Sequence, residues 1–558
     1  WLKDDRYMDA YINYMYQGGG NNRSYSEGIA DAAYARYLVN ADSVFIVEQL
    51  DSMKAIYNEW NDHWEPAKNL YYIPAMPDAT EYTIASIDAS GGKDGFEGGD
   101  AFRPTINSYM YGNAKAIAKI AVLKGDLATR DDYVARAQVL KENVEKSLWN
   151  DSLQHFTDRY KVDNQYVRYW NFIRGRELAG MIPWYYNLPS DKDKFSVAWR
   201  HVLDTTQLLG HFGLRTNEPS YEYYFKQFVF TFGKPGSQWN GPSWPYQTSQ
   251  VITGMGNLLN NYHQNVVTKS DYLKVLRLYT KQHYLPNGNI NLVENYDPNK
   301  GKPIVYFYWS NHYNHSSYNN LVISGLCGIQ PGQSDTLTIN PIVDDHIEYF
   351  CLDDVRYHGH KLTIIYDKEG TRYKLGKGLT VLVDGKKKTL LQNSDQYNVA
   401  IGSALQGKKT KQGQDFALNI TRKGYPQPSA SIHSVSDSLY QAIDGRIWYF
   451  PEISNRWSTE GSTSPSDWYA LDFGQVRDLS KVKVYLYTDN KTFGLPERYT
   501  IEYKNGAGWQ RVKEKDASTL VGNTENTINF DKISATAVRI TFNHETKQVA
   551  LVELECYE

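Results

Sequence analysis

The 558-residue sequence predicts a multidomain fold, with helical hairpins over residues 1–330, a β-sandwich over 331–424 and a second β-sandwich over 425–558. Three observations carry this. Apolar residues recur at helical spacing through the first region and then give way to short β-type segments. The length exceeds what one hydrophobic core holds. A Lys-Gly-Tyr-Pro-Gln-Pro-Ser stretch at 423–429 reads as a linker between the two β-regions.

In the first region, Asn107, Met110, Ala114, Ile117 and Ala121 repeat every three or four residues, as do Tyr133, Ala137, Leu140, Val144 and Leu148. Both series put apolar side chains on one helix face. Ser24 and Glu27 have capping-box spacing ahead of a helix ending near Val39. Further helices are expected near 43–59, 173–186, 191–204, 244–261, 270–282 and 314–326. The connections 61–104, 150–172, 207–243 and 284–313 are long, glycine-rich and aromatic. Loops of that length in a compact domain usually carry function. Beyond residue 331, runs such as 361–366 and 379–383 alternate with Asp-Gly and Glu-Gly turns, as strands do.

Charge and cysteines narrow the function classes. The net charge is −3 and the pI near 6.5, which gives no basis for nucleic acid or an anionic membrane as partner. No apolar run reaches the length of a membrane span. Cys327, Cys351 and Cys556 show no metal-ligand spacing and allow at most one disulfide. His312 and His315 lie three apart with no acidic cluster beside them, so no catalytic metal is expected. The aromatic content is 14%, with 46 Tyr and 14 Trp. Such side chains offer an apolar face and a polar edge, the pattern a sugar ring presents in return. The chain opens at Trp1 without a Met and reads as a processed chain or a fragment, so an export signal is compatible with it.

Aromatic loops that carry acids suit glycosidic-bond chemistry. Inverting hydrolysis needs one protonated and one ionised carboxyl group on opposite faces of the sugar. Two loops offer them: residues 70–84 with Asp78 and Glu81, and residues 291–298 with Glu294, followed by Trp309 and Ser310. Between them in sequence, Gln238-Trp239-Asn240-Gly241-Pro242-Ser243-Trp244 is a candidate subsite floor. Glu177 is expected to pair with Arg174 or Arg176 as a structural ion pair.

Residues 60–326 resemble the (α/α)6-barrel hydrolases of glycoside hydrolase family 63 and the mannosylglycerate-hydrolase-like group. The matching stretches are 103–112, 176–185, the Trp-Asn-Gly-Pro-Ser-Trp-Pro run from Trp239, and Glu294-Asn295-Tyr296-Asp297-Pro298 with Trp309-Ser310. The resemblance implies an (α/α)6 toroid and an inverting, exo-acting glycosidase for α-linked oligo- or polysaccharides. It also implies a secreted, periplasmic or extracellular enzyme without a required cofactor. The family's acid motif maps to Glu81, with an Asp-to-Glu change and without the motif's glycines; Glu97 in Asp94-Gly95-Phe96-Glu97-Gly98 is the second candidate. The base maps to Glu294. Trp239, Asn240, Trp244, Trp309, Arg103 and Trp170 are the expected sugar contacts. Related enzymes often carry an N-terminal β-sandwich, which makes a preceding domain of the same protein an expected partner. Two alternatives stay open: a polysaccharide lyase on the same toroid, and a catalytically inactive glycan-binding protein.

Residues 430–558 resemble the discoidin, or coagulation factor 5/8 type C, family, which includes family 32 carbohydrate-binding modules. Ala442-Ile443-Asp444-Gly445, Asn455-Arg456-Trp457-Ser458, 467–474, 495–499, 537–540 and 551–554 carry the likeness. It implies a β-sandwich that binds sugars, lipids or proteins through loops at one end, with a structural Ca2+ in some members.

Overall fold

The structure is a computed structural model. It describes residues 1, 5–16, 28–96, 98–236, 238–285, 287–305, 310–313, 317–391, 396–405, 413–434, 437–450, 454–489, 491–515 and 519–558. The chain divides into two compact units, Trp1–Gln406 and Gly407–Glu558.

The first unit begins with helices α1 (Asp5–Tyr16), α2 (Ile29–Asn40), α3 (Ser43–Glu48), α4 (Leu50–Glu59), α5 (Ile84–Ala89), α6 (Pro104–Lys124) and α7 (Leu127–Ser147). It continues with α8 (Ile182–Tyr185), α9 (Asp193–Ser196), α10 (Trp199–Leu203), α11 (Pro245–Asn261), α12 (Lys269–Gln282) and α13 (Tyr318–Asn320). Helix α6 is buried almost all round, as an inner helix must be. Pro104 occupies its first turn and Gly125, at φ 78°, ends it in the left-handed conformation. Its partner α7 buries only Tyr133, Ala137, Leu140 and Val144 along one stripe, all members of the predicted series. Asp126 caps α7 by accepting from Thr129 N–H, and a Thr268–Asp271 capping box opens α12. The Ser24–Glu27 box lies outside the described residues.

Three predicted helices are far shorter than expected. In place of a helix over 173–186 there is an extended Glu177 bridged to Asn217, a 3-10 turn at Leu178–Met181 and the single turn of α8. The 191–204 segment holds only α9 and α10. A predicted 314–326 helix is reduced, within the described residues, to α13 and a π-type turn at Leu321–Leu326.

Still in the first unit, an antiparallel four-stranded sheet runs in the order Lys386–Leu391, Gly378–Val383, His360–Asp367, Tyr349–Tyr357. A three-stranded sheet (Tyr397–Ala400, Thr336–Ile339, Ile329–Gln330) shares its core, which includes Leu337, Ile339, Leu362, Ile364, Leu379, Val381 and Val399. His358 ties this β-region to α2 through its backbone N–H to Val39 O (2.8 Å) and its ring nitrogen to Leu38 O (3.0 Å).

The second unit is an antiparallel sheet folded over its own core. Its order is Trp457–Ser458, Ala550–Tyr557, Ser466–Tyr487, Glu525–Asn543, Arg498–Lys504, Trp509–Arg511, with Gln427–Ala430 also on Ser466–Tyr487. The long strand breaks register between Asp472 and Arg477. Before the break it pairs with 427–430; after it, with 550–557. One strand thereby serves two layers, as strands do at sandwich corners. The unit begins earlier than the expected boundary at 425. Ala417 is fully buried in its core, and Phe416 N–H and Asp415 Oδ1 bond to the Cys556 backbone. The stretch read as a linker supplies the strand Gln427–Ala430. Cys327, Cys351 and Cys556 form no disulfide.

Candidate active site

Three loops that are distant in sequence meet at Glu81 and Glu294. The loop over 238–246 joins the other two. Trp239 N–H donates to Glu81 O (3.0 Å). Ser243 and Tyr296 exchange both backbone bonds, at 2.8 and 2.9 Å. The Glu294 loop is fixed further by its own N–H to Ser310 O (3.0 Å) and by the Tyr296 hydroxyl, which donates to Gln282 O and accepts from Val293 N–H. Glu294 is buried. Glu81 is half-buried. On either side of Glu81 the backbone turns through left-handed residues, Ala79 (φ 55°) and Tyr82 (φ 64°).

Burial pushes the Glu81 carboxyl up to about 7. The charges of Glu294 and Asp78 push the same way, against hydrogen bonds from its own backbone and the Trp239 indole. A carboxyl so placed keeps its proton near neutrality beside a second carboxyl group, the division of roles that acid–base hydrolysis uses.

Next to the Glu81 segment lies a buried ion cluster. Arg103 reaches Asp78 (2.6 Å), Asp158 (2.8 Å) and Glu177 (3.0 Å). Asp78 also accepts from Thr80 (3.0 Å) and from Thr105. Glu177 Oε1 accepts from Ile84 N–H at 2.7 Å. Burial raises both Asp158 and Glu177 above the usual carboxylate range, against the pull of Arg103. Glu177 therefore pairs with Arg103, not with Arg174 or Arg176. Those two bind Asp88 with Glu222, and Glu218, respectively.

The expected sugar contacts differ in burial and in partners. Trp239 and Trp244 stack on each other (centroids 4.0 Å, 13°) and are 5% exposed each, with Tyr246 edge-on to Trp239. Asn240 is 0% exposed. Its amide donates to Tyr223 O and Lys226 O and accepts from Asn217, so it shapes the loop and has no group left to meet a sugar. Arg103 spends its donors on the three carboxylates. Trp170 packs edge-on to Phe102, with Lys68 Nζ over its ring at 4.0 Å. Glu97 and Trp309 lie outside the described residues. His315 does too, and no group of three His, Cys, Asp or Glu able to hold a metal occurs among the described residues.

Residues 1–316 match the family described as mannosylglycerate hydrolase MGH1-like glycoside hydrolase domain. The chain belongs to this family. The helical region is thus a glycoside hydrolase domain of the group its motifs resemble. Residues 332–390 match the C-terminal domain of glycosyl hydrolase family 65. Residues 441–540 match the NedA-like, galactose-binding domain, in line with the factor 5/8 type C motifs. A solved structure named Sialidase is 35% identical, with a TM-score of 0.65, over 72% of this chain and 35% of that one. The periplasmic trehalase of Escherichia coli O17:K52:H18 (strain UMN026 / ExPEC) is 28% identical over 196 residues, which is 34% of this chain and 29% of the trehalase. The chain spans about a third of the length of each.

The sequence carries no local signal for the part that Asp158, Thr80 and Thr105 play in this glycoside hydrolase domain. Asp78 counted only as a second acid on the Glu81 loop, and Asp158 belongs to none of the matching stretches. The available signal was Arg103 itself, which directly precedes the helix-opening Pro104.

Proposed function

We propose that the chain is an inverting, exo-acting glycosidase for α-linked glycans, built on an (α/α)6 toroid and working outside the cytoplasm. Glu81 is the general acid and Glu294 the general base. Glu81 gives its proton to the glycosidic oxygen as the bond to the anomeric carbon breaks. Glu294 takes a proton from water as that water attacks the opposite face, and the product leaves with inverted configuration. Trp239, Trp244 and Tyr246 wall the sugar subsite. The observation that carries this reading is the pairing of Glu81, pushed up to about 7, with Glu294 on a separately anchored loop. The α-preference and exo action rest on the family 63-like motifs.

The test is hydrolysis of a panel of α- and β-linked oligosaccharides, followed by proton NMR of the first-formed anomer. Release of a β-anomer from an α-linked glycan is the expected result. kcat/KM should also fall above about pH 7 as Glu81 loses its proton. An α-anomer as first product would exclude the inverting assignment. An unsaturated, ultraviolet-absorbing product would exclude hydrolysis altogether.

For the C-terminal module we propose a sugar ligand and a structural Ca2+ held by Asp444 and Glu553. Glu553 Oε2 is buried with no hydrogen-bond partner, while Oε1 accepts from Gly445 N–H (2.9 Å). Asp444 Oδ1 accepts from Arg446 N–H and Asn455. Ca2+ takes oxygen ligands of this kind, completed by loop carbonyls. Ca2+ at about a hundred times its Kd should stabilise the module by about 2.7 kcal/mol. The check is the Tm of the whole chain in Ca2+ and in chelator, for wild type and Glu553→Gln. A Tm indifferent to Ca2+ in the wild type would remove the site.

A further inference from the structure

The ion cluster beside Glu81 grips the acid's segment at both ends. One side of the Arg103 guanidinium reaches Asp78 and the Thr80 hydroxyl, just before Glu81. The other reaches Glu177, whose second oxygen holds the Ile84 N–H, just after it. Nε is held in turn by Asp158. The chain turns through left-handed Ala79 within the first grip and left-handed Tyr82 between the two, a conformation that persists only where the surroundings impose it. A guanidinium suits this task because its donors lie in one rigid plane. The cluster is buried and so is shielded from the solvent screening that weakens surface ion pairs.

We infer that Arg103 and Glu177, with Thr80, are positioning residues that aim the Glu81 carboxyl at the leaving oxygen. The inference rests on the reading of Glu81 as the general acid. All three act through Glu81 and not on the sugar. Misplacing a catalytic group by about 1 Å costs about 10²-fold in rate, and here the loss should fall only on reactions that need the acid.

Leaving-group dependence reads this directly. Fluoride departs without protonation, whereas a sugar alcohol does not. The probes are α-glucosyl, α-mannosyl and α-galactosyl fluorides beside the methyl α-glycosides and α-linked disaccharides of the same sugars. Glu177→Gln and Thr80→Val keep the shape of the cluster and avoid the folding risk of removing Arg103. Each should lower kcat on glycosides and disaccharides by about 10²-fold, with KM little changed and with the fluoride rate kept within a few-fold. Glu81→Gln should show the same selective loss. If the variants lose both substrate types together, the cluster is merely structural and the inference fails. The same holds if they lose neither. If Glu81→Gln itself is unselective, the reading of the acid fails instead. Should the wild type cleave none of the probes, amide hydrogen exchange decides. Glu177→Gln must then speed exchange at Ile84 and across 78–84, and unchanged exchange there overturns the inference.

Discussion

Glu294→Gln should lower kcat by about 10²–10⁴-fold on every glycan the wild-type chain cleaves, with KM little changed. The amide matches the carboxylate in shape but cannot take a proton from water. The loop should hold its place. Its anchors are the Glu294 backbone N–H to Ser310 O, the Ser243–Tyr296 bridge and the Tyr296 hydroxyl, and none of them uses the Glu294 side chain. A second signature separates this loss from general damage. The Glu294 charge helps hold the Glu81 carboxyl up near 7. Without that charge, Glu81 should lose its proton at lower pH, so the alkaline fall of the residual activity should move down the pH scale. Steady-state kinetics across pH checks both effects. Activity within tenfold of wild type would take the base role from Glu294.

The other large effect is on stability. Arg103→Leu should destabilise the first unit by about 3–5 kcal/mol at neutral pH, because it strands buried carboxylates without their cation. The loss should depend on pH with a definite sign. Burial already raises Asp158 and Glu177 in the folded chain, and removing Arg103 raises them further. A carboxyl whose folded value lies above its unfolded value keeps a proton that the unfolded chain releases, so stability falls as pH rises above about 4. The variant should accordingly recover toward wild type on acidification to pH 5 and lose most at pH 8. Adding Asp158→Asn to Arg103→Leu should restore part of the loss at pH 8. Denaturant unfolding followed by the helical signal at both pH values checks this. A loss equal at pH 5 and pH 8 would mean that Arg103 matters for packing alone.

The helical pairs were legible where one stripe of side chains decides the structure. The series from Tyr133 to Leu148 and from Asn107 to Ala121 are buried as spaced. The 173–186 segment misled because its apolar spacing satisfies burial while its backbone bonds sideways. Leu178 N–H donates to Thr216 O (2.8 Å). A Cβ on Gly180 would lie 2.1 Å from Phe156 O, so this glycine permits close approach and a helix is not what it serves. Pro183 falls in the first turn of α8, where a proline is tolerated, and that helix ends after this one turn. In the candidate site, Glu81 and Glu294 were legible as candidates, because each stands in a motif on an aromatic loop. The partners of Arg103 were not, because Asp78, Asp158 and Glu177 converge from three separate loops and no local pattern records a long-range ion cluster. Asn240 shows the same limit from the other side. A loop amide between two tryptophans reads as a sugar contact until its partners at Asn217, Tyr223 and Lys226 are known.

The loop over 238–246 touches the backbone beside Glu81 with Trp239 and the backbone beside Glu294 with Ser243. It is therefore the gauge bar between the two carboxyl groups. Their spacing selects the stereochemistry of hydrolysis, wider for inversion and narrower for retention. Under the proposed mechanism, that choice would be held by a few residues that perform no chemistry. A deletion between Trp239 and Ser243 would reset the gap without altering either acid, so divergence in reaction outcome has a short path through this one connection.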